Sequence, residues 1–336
     1  MLLRPVLALT LFGALGHAVP AAAAPATVPD GREIRTLLTR IHDAASKQNF
    51  QGTFVVSGGG AVSSARIAHY GEGSNQYERI ESLDGQARYV YRHNEVVHTL
   101  WPGSRVAVVE QAQAMTSFPA LLQGGIERLA EFYEVNPQGV ERVAGRDAQV
   151  LLVQPRDAHR FGYRLWSDKA SGLLLRADVL GERGEVIETS AFSEVTIGVK
   201  PQFESVTGPM RKLDGYRVLR PALSATRLEA EGWNMRQIVP GFREANCVRR
   251  PMESPTASVQ EAPADPVLQT IFSDGLTYVS VFIEPFDPQR HQRAMRTAVG
   301  ATQTLMRRQG DWWITVVGDV PPATLLAFAN ALERRK

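Results

Sequence analysis

The sequence predicts an α+β protein in two units, an open antiparallel sheet carrying a few helices and a smaller α+β unit behind it. Three observations carry this prediction. Short apolar runs of period two recur between Phe50 and Ile197, with turn residues separating them at close intervals. Two stretches, residues 31–47 and 117–133, instead repeat their apolar residues at helical spacing. A polar stretch holding Gly208, Pro209 and Gly215 then precedes a second series of strands and a closing helix. A chain of 336 residues is long enough for two domains with a core each. The units are placed at residues 25–206 and 222–336, with a linker at 207–221.

The first 24 residues read as a removable export leader. Arg4 precedes an apolar stretch from Val6 to Leu15, and Ala21-Ala22-Ala23-Ala24-Pro25 supplies small residues for cleavage. The stretch is shorter than the roughly 20 apolar residues that a spanning helix needs. The expectation is an exported chain that starts near Pro25, is soluble, and carries 36 basic against 35 acidic side chains. Near-neutral charge, with basic residues in scattered pairs, excludes a nucleic-acid partner. A lone cysteine, Cys247, cannot close an internal disulfide, so packing alone must hold the fold.

Ile34, Leu37, Leu38, Ile41 and Ala45 define one face of the first helix, with Arg32, Arg35, Arg40 and Asp43 between them. From Phe50 the period becomes two, and Gly58-Gly59-Gly60, Gly71-Glu72-Gly73, Asp84-Gly85, His93-Asn94 and Pro102-Gly103 punctuate the runs as hairpin turns. The second helical stretch contains Phe118, Leu121, Leu122, Ile126, Leu129 and Phe132 and is broken at Gly124-Gly125, which predicts a hinged helix pair. Strands resume at Val140–Val143, Val150–Val153, Phe161–Trp166, Leu173–Leu180 and Val186–Ile197. So many hairpins must curl, and the helices are left to cover the apolar face. In the second unit, strands at Leu268–Phe272, Tyr278–Ile283, Gln303–Arg307 and Trp312–Val317 lead to a helix starting at Pro322, where a missing N–H costs nothing.

Catalytic patterns are absent from the sequence. Gly58-Gly59-Gly60 lacks a following Gly-Lys-Ser/Thr and lies between strands, so it reads as a turn, not a phosphate cradle. His93 and His98 do not have zinc-helix spacing, and five residues apart on one strand they would point to opposite faces. Glu78 and Glu81 likewise alternate, which removes an acid/base pair. No nucleophile elbow or Cys-His setting occurs, so neither an enzyme activity, a metal nor a cofactor is expected.

The hairpin from Tyr163 to Leu180, with Trp166-Ser167-Asp168 at its turn and Gly184-Glu185 after it, resembles that of the MucB/RseB family of periplasmic stress regulators. Pro240-Gly241-Phe242, Ser273-Asp274-Gly275-Leu276 and Val316-Val317-Gly318-Asp319-Val320-Pro321-Pro322 resemble that family's landmarks in the second unit. Carriers of the LolA/LolB type share a similar turn on a similar open half-barrel, but they lack the second domain. The resemblance implies a non-enzymatic periplasmic regulator. Its partner would be the periplasmic part of an RseA/MucA-type anti-sigma factor, shielded from proteolysis. It would release that partner on sensing a lipoprotein or lipopolysaccharide-type amphiphile; the alternative is a lipid or lipoprotein carrier. Self-association is left open.

The resemblance fixes no individual binding residue, so these are chosen on physical grounds. An open curled sheet has apolar surface to spare for an elongated ligand, which selects Trp101, Phe118, Leu121, Leu122 and Trp166 for lipid. The basic pairs Arg249-Arg250 and Arg307-Arg308 are selected for steering an acidic partner. The loop at 250–266, rich in Pro, departs from the family pattern.

Overall fold

A computed structural model describes residues 31–111, 118–122, 126–251 and 266–335. The leader, Gly124-Gly125 and most of the loop at 250–266 lie outside the described residues. Helix α1 (Gly31–Lys47) is followed by strands β1 (Phe50–Gly58), β2 (Ala61–Glu72), β3 (Asn75–Ser82), β4 (Tyr89–His93), β5 (Val96–Trp101) and β6 (Val106–Gln111). Then come α2 (Ile126–Phe132), β7 (Tyr133–Val143), β8 (Arg146–Pro155), β9 (Gly162–Asp168), β10 (Leu174–Leu180) and β11 (Val186–Ile197). Helix α3 (Glu204–Arg211) and β12 (Arg217–Leu219) complete the first unit.

These strands form one twelve-stranded sheet in the order β12-β6-β5-β4-β3-β2-β1-β11-β10-β9-β8-β7. Two meanders are joined where β1 pairs antiparallel with β11, and both ends of the sheet stay open. This is the open antiparallel architecture that the turn spacing predicts. Gly59 and Gly60, with φ of 59° and 80°, supply the left-handed turn between β1 and β2.

Helix α1 contacts both β2 and β10, and so lies across the middle of the sheet. Leu38, Ile41 and Ala44 on its apolar stripe are buried among Phe50, Ile67, Leu165, Leu173 and Phe192. Arg40 fixes the helix to the β9–β10 turn by donating to the carbonyls of Lys169 and Ala170, at 2.7 and 2.8 Å. Gly172 there has φ +84°, and an added Cβ would lie 2.8 Å from Arg40 Cγ, so the turn needs glycine twice over.

Two sequence expectations change. Of the hinged helix pair expected over 117–133, the described residues hold one helix, Ile126–Phe132: Phe118–Leu122 forms a turn and a short bridge, and Tyr133 already begins β7. Apolar spacing demands burial, which an irregular segment satisfies as well as a helix does. The stretch expected as a linker, 207–221, is ordered. Val206 of α3 is buried with Tyr70, Tyr91, Leu100 and Ala107 on the other face of the sheet, and β12 adds parallel to β6. Its polar composition reflects a helix with one buried side, not a free tether.

The second unit comprises β13 (Ser224–Ala225), β14 (Trp233–Met235), β15 (Arg243–Arg250), β16 (Val267–Ser273), β17 (Tyr278–Pro285), β18 (Met295–Val299), β19 (Thr302–Gln309), β20 (Trp312–Gly318), α4 (Pro322–Ala331) and β21 (Leu332–Arg334). Seven strands form a sheet in the order β13-β15-β16-β17-β20-β19-β18, and β14 pairs with β21. Helix α4 buries Leu325, Phe328 and Ala329 against Phe272, Val279, Val281, Ile314 and Val316.

Asp168 anchors the β9–β10 turn with 3% of its side chain exposed. It accepts from Arg146 Nε at 2.7 Å and from the Ser171 N–H and hydroxyl, both at 2.7 Å. Burial works to raise its pKa, but these donors outweigh burial and hold it below the usual carboxylate value. Its stabilising contribution is therefore complete above the unfolded pKa of about 3.9 and lost as pH falls through the lower folded value. Asp168→Asn should cost about 2 kcal/mol at pH 7, and the difference from wild type in urea unfolding should shrink below about pH 4.

Candidate functional site

The inner face of the large sheet is covered by α1, the 118–122 segment and α2. Phe118 is buried, with its ring centroid 5.6 Å from Phe54 on β1 and 5.2 Å from Phe192 on β11. Leu122 is 3% exposed, Leu121 is half-buried, and Leu129 of α2 is 1% exposed in the same cluster. His42 on α1 donates through Nδ1 to the Leu122 carbonyl at 2.5 Å. The segment and the helix thus close one apolar surface.

Three of the five residues selected for lipid meet there: Phe118, Leu121 and Leu122. Trp101, half-buried at the end of β5, lies four strands away from β1, about 19 Å along the sheet. By strand alternation it faces away from Leu100 and α3, so it shares the inner side without touching the cluster's centre. Trp166 is buried on the side of β9 opposite Leu165. Its indole N–H donates to Glu141 at 2.8 Å, and the Arg176 guanidinium lies 4.4 Å from its ring, so charged groups enclose it.

The selected arginines are dispersed. Arg249 and Arg250 on β15 are four strands from Arg307 and Arg308 on β19. Arg249 donates through Nε to Glu231 at 2.8 Å, and Arg250 donates to Gln269 at 3.1 Å. Arg307 points toward α4, donating to Asn330 at 2.6 Å and also to the Ala329 carbonyl, while burial lowers its pKa. Arg308 lies 4.0 Å over the Phe286 ring.

His93 and His98 stand on neighbouring strands, not on one. The register pairs Tyr91 with His98 and His93 with Val96, which puts both imidazoles on the same side, the reverse of the expected arrangement. His93 stacks on Tyr77 at 4.4 Å. Burial, with Arg220 nearby, lowers the pKa of His98. Among the described residues no group of three or more His, Cys, Asp or Glu side chains has metal-binding geometry.

Sequence reasoning missed the junction between the two sheets. Arg160, just before β9, has no exposed side-chain surface, and neither has Asp274, in the turn between β16 and β17. Arg160 Nε donates to Asp274 Oδ2 at 2.6 Å, and the guanidinium also donates to Asp157 and to the Pro240 carbonyl. The Tyr133 hydroxyl donates to Asp274 Oδ2 at 2.8 Å, while Oδ1 accepts the N–H groups of Leu276 and Thr277, both at 2.9 Å. The rings of Phe132 and Phe242 lie 4.6 and 5.0 Å from the guanidinium carbon. Burial opposes the Arg160 charge, but Asp274 and Asp157 restore it and raise the pKa above its ordinary value. Burial first, then Asp274, pushes the Tyr133 pKa well up, so the phenol stays a donor. Nearby, Glu188 accepts from the Ala301 N–H at 3.1 Å and Thr324 donates to the His159 carbonyl at 3.1 Å. The one signal in the sequence was a pair of motifs, Pro240-Gly241-Phe242 and Ser273-Asp274-Gly275-Leu276, with no assigned role.

Comparison with known proteins matches residues 33–210 to the model of the MucB/RseB N-terminal domain and residues 227–333 to that of the MucB/RseB C-terminal domain. This chain belongs to the MucB/RseB family. It is 31% identical to the sigma factor AlgU regulatory protein MucB of Pseudomonas aeruginosa, over 88% of this chain and 89% of that protein. It is 26% identical to the sigma-E factor regulatory protein RseB of Escherichia coli, over 96% and 94%. A structure of the Pseudomonas aeruginosa MucA/MucB complex contains a chain similar to this one at a TM-score of 0.66 and 27% identity, covering 90% of this chain and 99% of that one. The junction therefore joins the two MucB/RseB domains. Among the described residues no helix is long and apolar enough to cross a membrane.

Cys247 is 4% exposed on β15, where burial first and the nearby Glu244 second push its thiol pKa up to about 12. About one thiol in 10⁴ is then ionised at pH 8. Ellman's reagent should leave the folded protein unmodified at that pH and titrate one thiol per chain in about 6 M guanidinium.

Proposed function

We propose that this chain is a periplasmic regulator acting by binding, without catalytic turnover. It holds the periplasmic part of a membrane-spanning anti-sigma factor, shields it from proteolysis, and releases it when an acyl-bearing amphiphile of lipoprotein or lipopolysaccharide type occupies the inner face. The observation that carries this reading is the end-to-end match: both family domains are present in order, and the similar MucB is found in complex with MucA.

The construction of the inner face supports the amphiphile half. Helix α2 has seven residues, too few to be stable in water without packing. It and the 118–122 segment are held mainly by apolar contacts, which an acyl chain reproduces, with few hydrogen bonds such as that of His42 to the Leu122 carbonyl. Each methylene buried contributes roughly 0.8 kcal/mol, so part of one chain offsets the displaced contacts. Release of the protein partner then requires that the amphiphile bind the free regulator better than the complex, and the partner weakens the amphiphile by the same factor.

Leu122 is too buried to accept a carboxylate without unfolding cost, which makes half-buried Leu121 the informative position. Calorimetry of the full mature chain with the periplasmic part of a MucA-type anti-sigma factor should show binding, weakened about tenfold or more by saturating lipopolysaccharide fragment. Leu121→Asp should keep the partner affinity and lose most of that response. Partner affinity that ignores a bound amphiphile would favour a carrier, and no partner binding at all would refute the regulator.

A further inference from the structure

The second-domain motifs converge on one short stretch of the first domain, His159 and Arg160, and on the neighbouring Phe132 ring. The Pro240 carbonyl accepts from Arg160, and Gly241, at φ +85°, packs so closely that an added Cβ would lie 2.9 Å from the Phe132 ring. Asp274 takes the Arg160 guanidinium. Thr277 donates to the Asp319 carbonyl at 2.9 Å, and Thr324, just past Pro321-Pro322, donates to the His159 carbonyl. Pro240, Arg160, Asp274 and Thr324 lie outside the inner-face core, whereas Phe132 packs against it.

Two residues belong to both places. Phe132 is the last residue of α2 and lies 4.6 Å over Arg160; Tyr133 is the first of β7 and donates to Asp274. One turn earlier, Leu129 of the same helix is buried in the inner core. A helix that covers the inner face thus ends in the rings that cover the ion pair.

We infer that α2 and the Arg160–Asp274 pair form a single latch, in which lifting α2 off the inner face uncovers the pair and loosens the contact between the domains. The trigger rests on the amphiphile reading above; the latch itself does not. A buried ion pair is held by the exclusion of water, because its attraction falls as the local dielectric rises. Withdrawing Phe132 and Tyr133 removes two of the groups that keep this pair dry, together with one donor to Asp274. The coupling is reciprocal: whatever factor separates the two lid positions in domain contact also separates the two domain arrangements in lid position.

Hydrogen exchange on the full mature chain tests this, with the Leu276 and Thr277 amides as reporters because both donate to Asp274 Oδ1. Leu129→Ala loosens α2 without any ligand; Ile67→Ala weakens the same core from β2. The reporters should exchange about tenfold faster in Leu129→Ala and remain within about twofold of wild type in Ile67→Ala. A myristoyl lysophosphatidylglycerol probe bound to wild type should reproduce the Leu129→Ala pattern. Equal acceleration in both variants, or none in Leu129→Ala, overturns the latch. A probe that calorimetry shows to bind while the reporters stay slow overturns its triggering by lipid. A probe that does not bind counts against the amphiphile reading, and the two variants still decide the latch.

Discussion

A guanidinium and a carboxylate with no exposed side-chain surface meet where the two sheets of this protein meet, and neither could remain charged there alone. Asp274 satisfies Arg160, but it also needs the Tyr133 hydroxyl and the Leu276 and Thr277 amides to fill its lone pairs. Arg160 in turn needs Asp157, the Pro240 carbonyl and the rings of Phe132 and Phe242. Four segments distant in sequence are therefore held at one point. Removing one partner leaves a buried charge uncompensated, a loss of about 3–5 kcal/mol in comparable pairs.

The rest of the architecture falls into place around that constraint. The large sheet stays open, and its inner face is closed by α1, which Arg40 fixes to the β9–β10 turn, and by two shorter segments fastened mainly through apolar packing. This is a division between a firm cover and a weak one. The firm cover ends in hydrogen bonds to a turn built by Asp168 and Gly172; the weak cover ends at the ion pair. A family of sigma factor regulators, whose members are found with a bound protein partner, has use for a contact between domains that responds to what lies under the weak cover.

Much of the fold was legible in the sequence because period and turn chemistry act locally. Helix α1 over 31–47 and strand β11 over 186–197 appear with the expected bounds, since each has a clean apolar period and a clear stop. The segment 117–133 was misread because Phe118, Leu121 and Leu122 keep helical spacing while forming an irregular strap. Residues 207–221 looked like a tether because α3 buries a side too narrow to register, against an outer sheet face that strand alternation alone does not show to be covered. Of the inner-face residues, Phe118, Leu121 and Leu122 were recognisable as apolar residues on a helix-poor cover. Trp166 was not separable from them, since sequence gives an aromatic's size but not the Glu141 and Arg176 that enclose it. Arg160 was invisible: arginine is ordinarily solvated, and its carboxylate partner lies 114 residues away.

The measurement that bears most directly on this structure is a double-mutant cycle across the junction, with Arg160→Met, Asp274→Asn and the pair compared by urea unfolding of the full mature chain. If the ion pair joins the domains, each single substitution costs more than the second one adds, and the coupling energy is about 2 kcal/mol or greater. Additivity to within about 0.5 kcal/mol would mean that the two charges are buried side by side without depending on each other, and would contradict it.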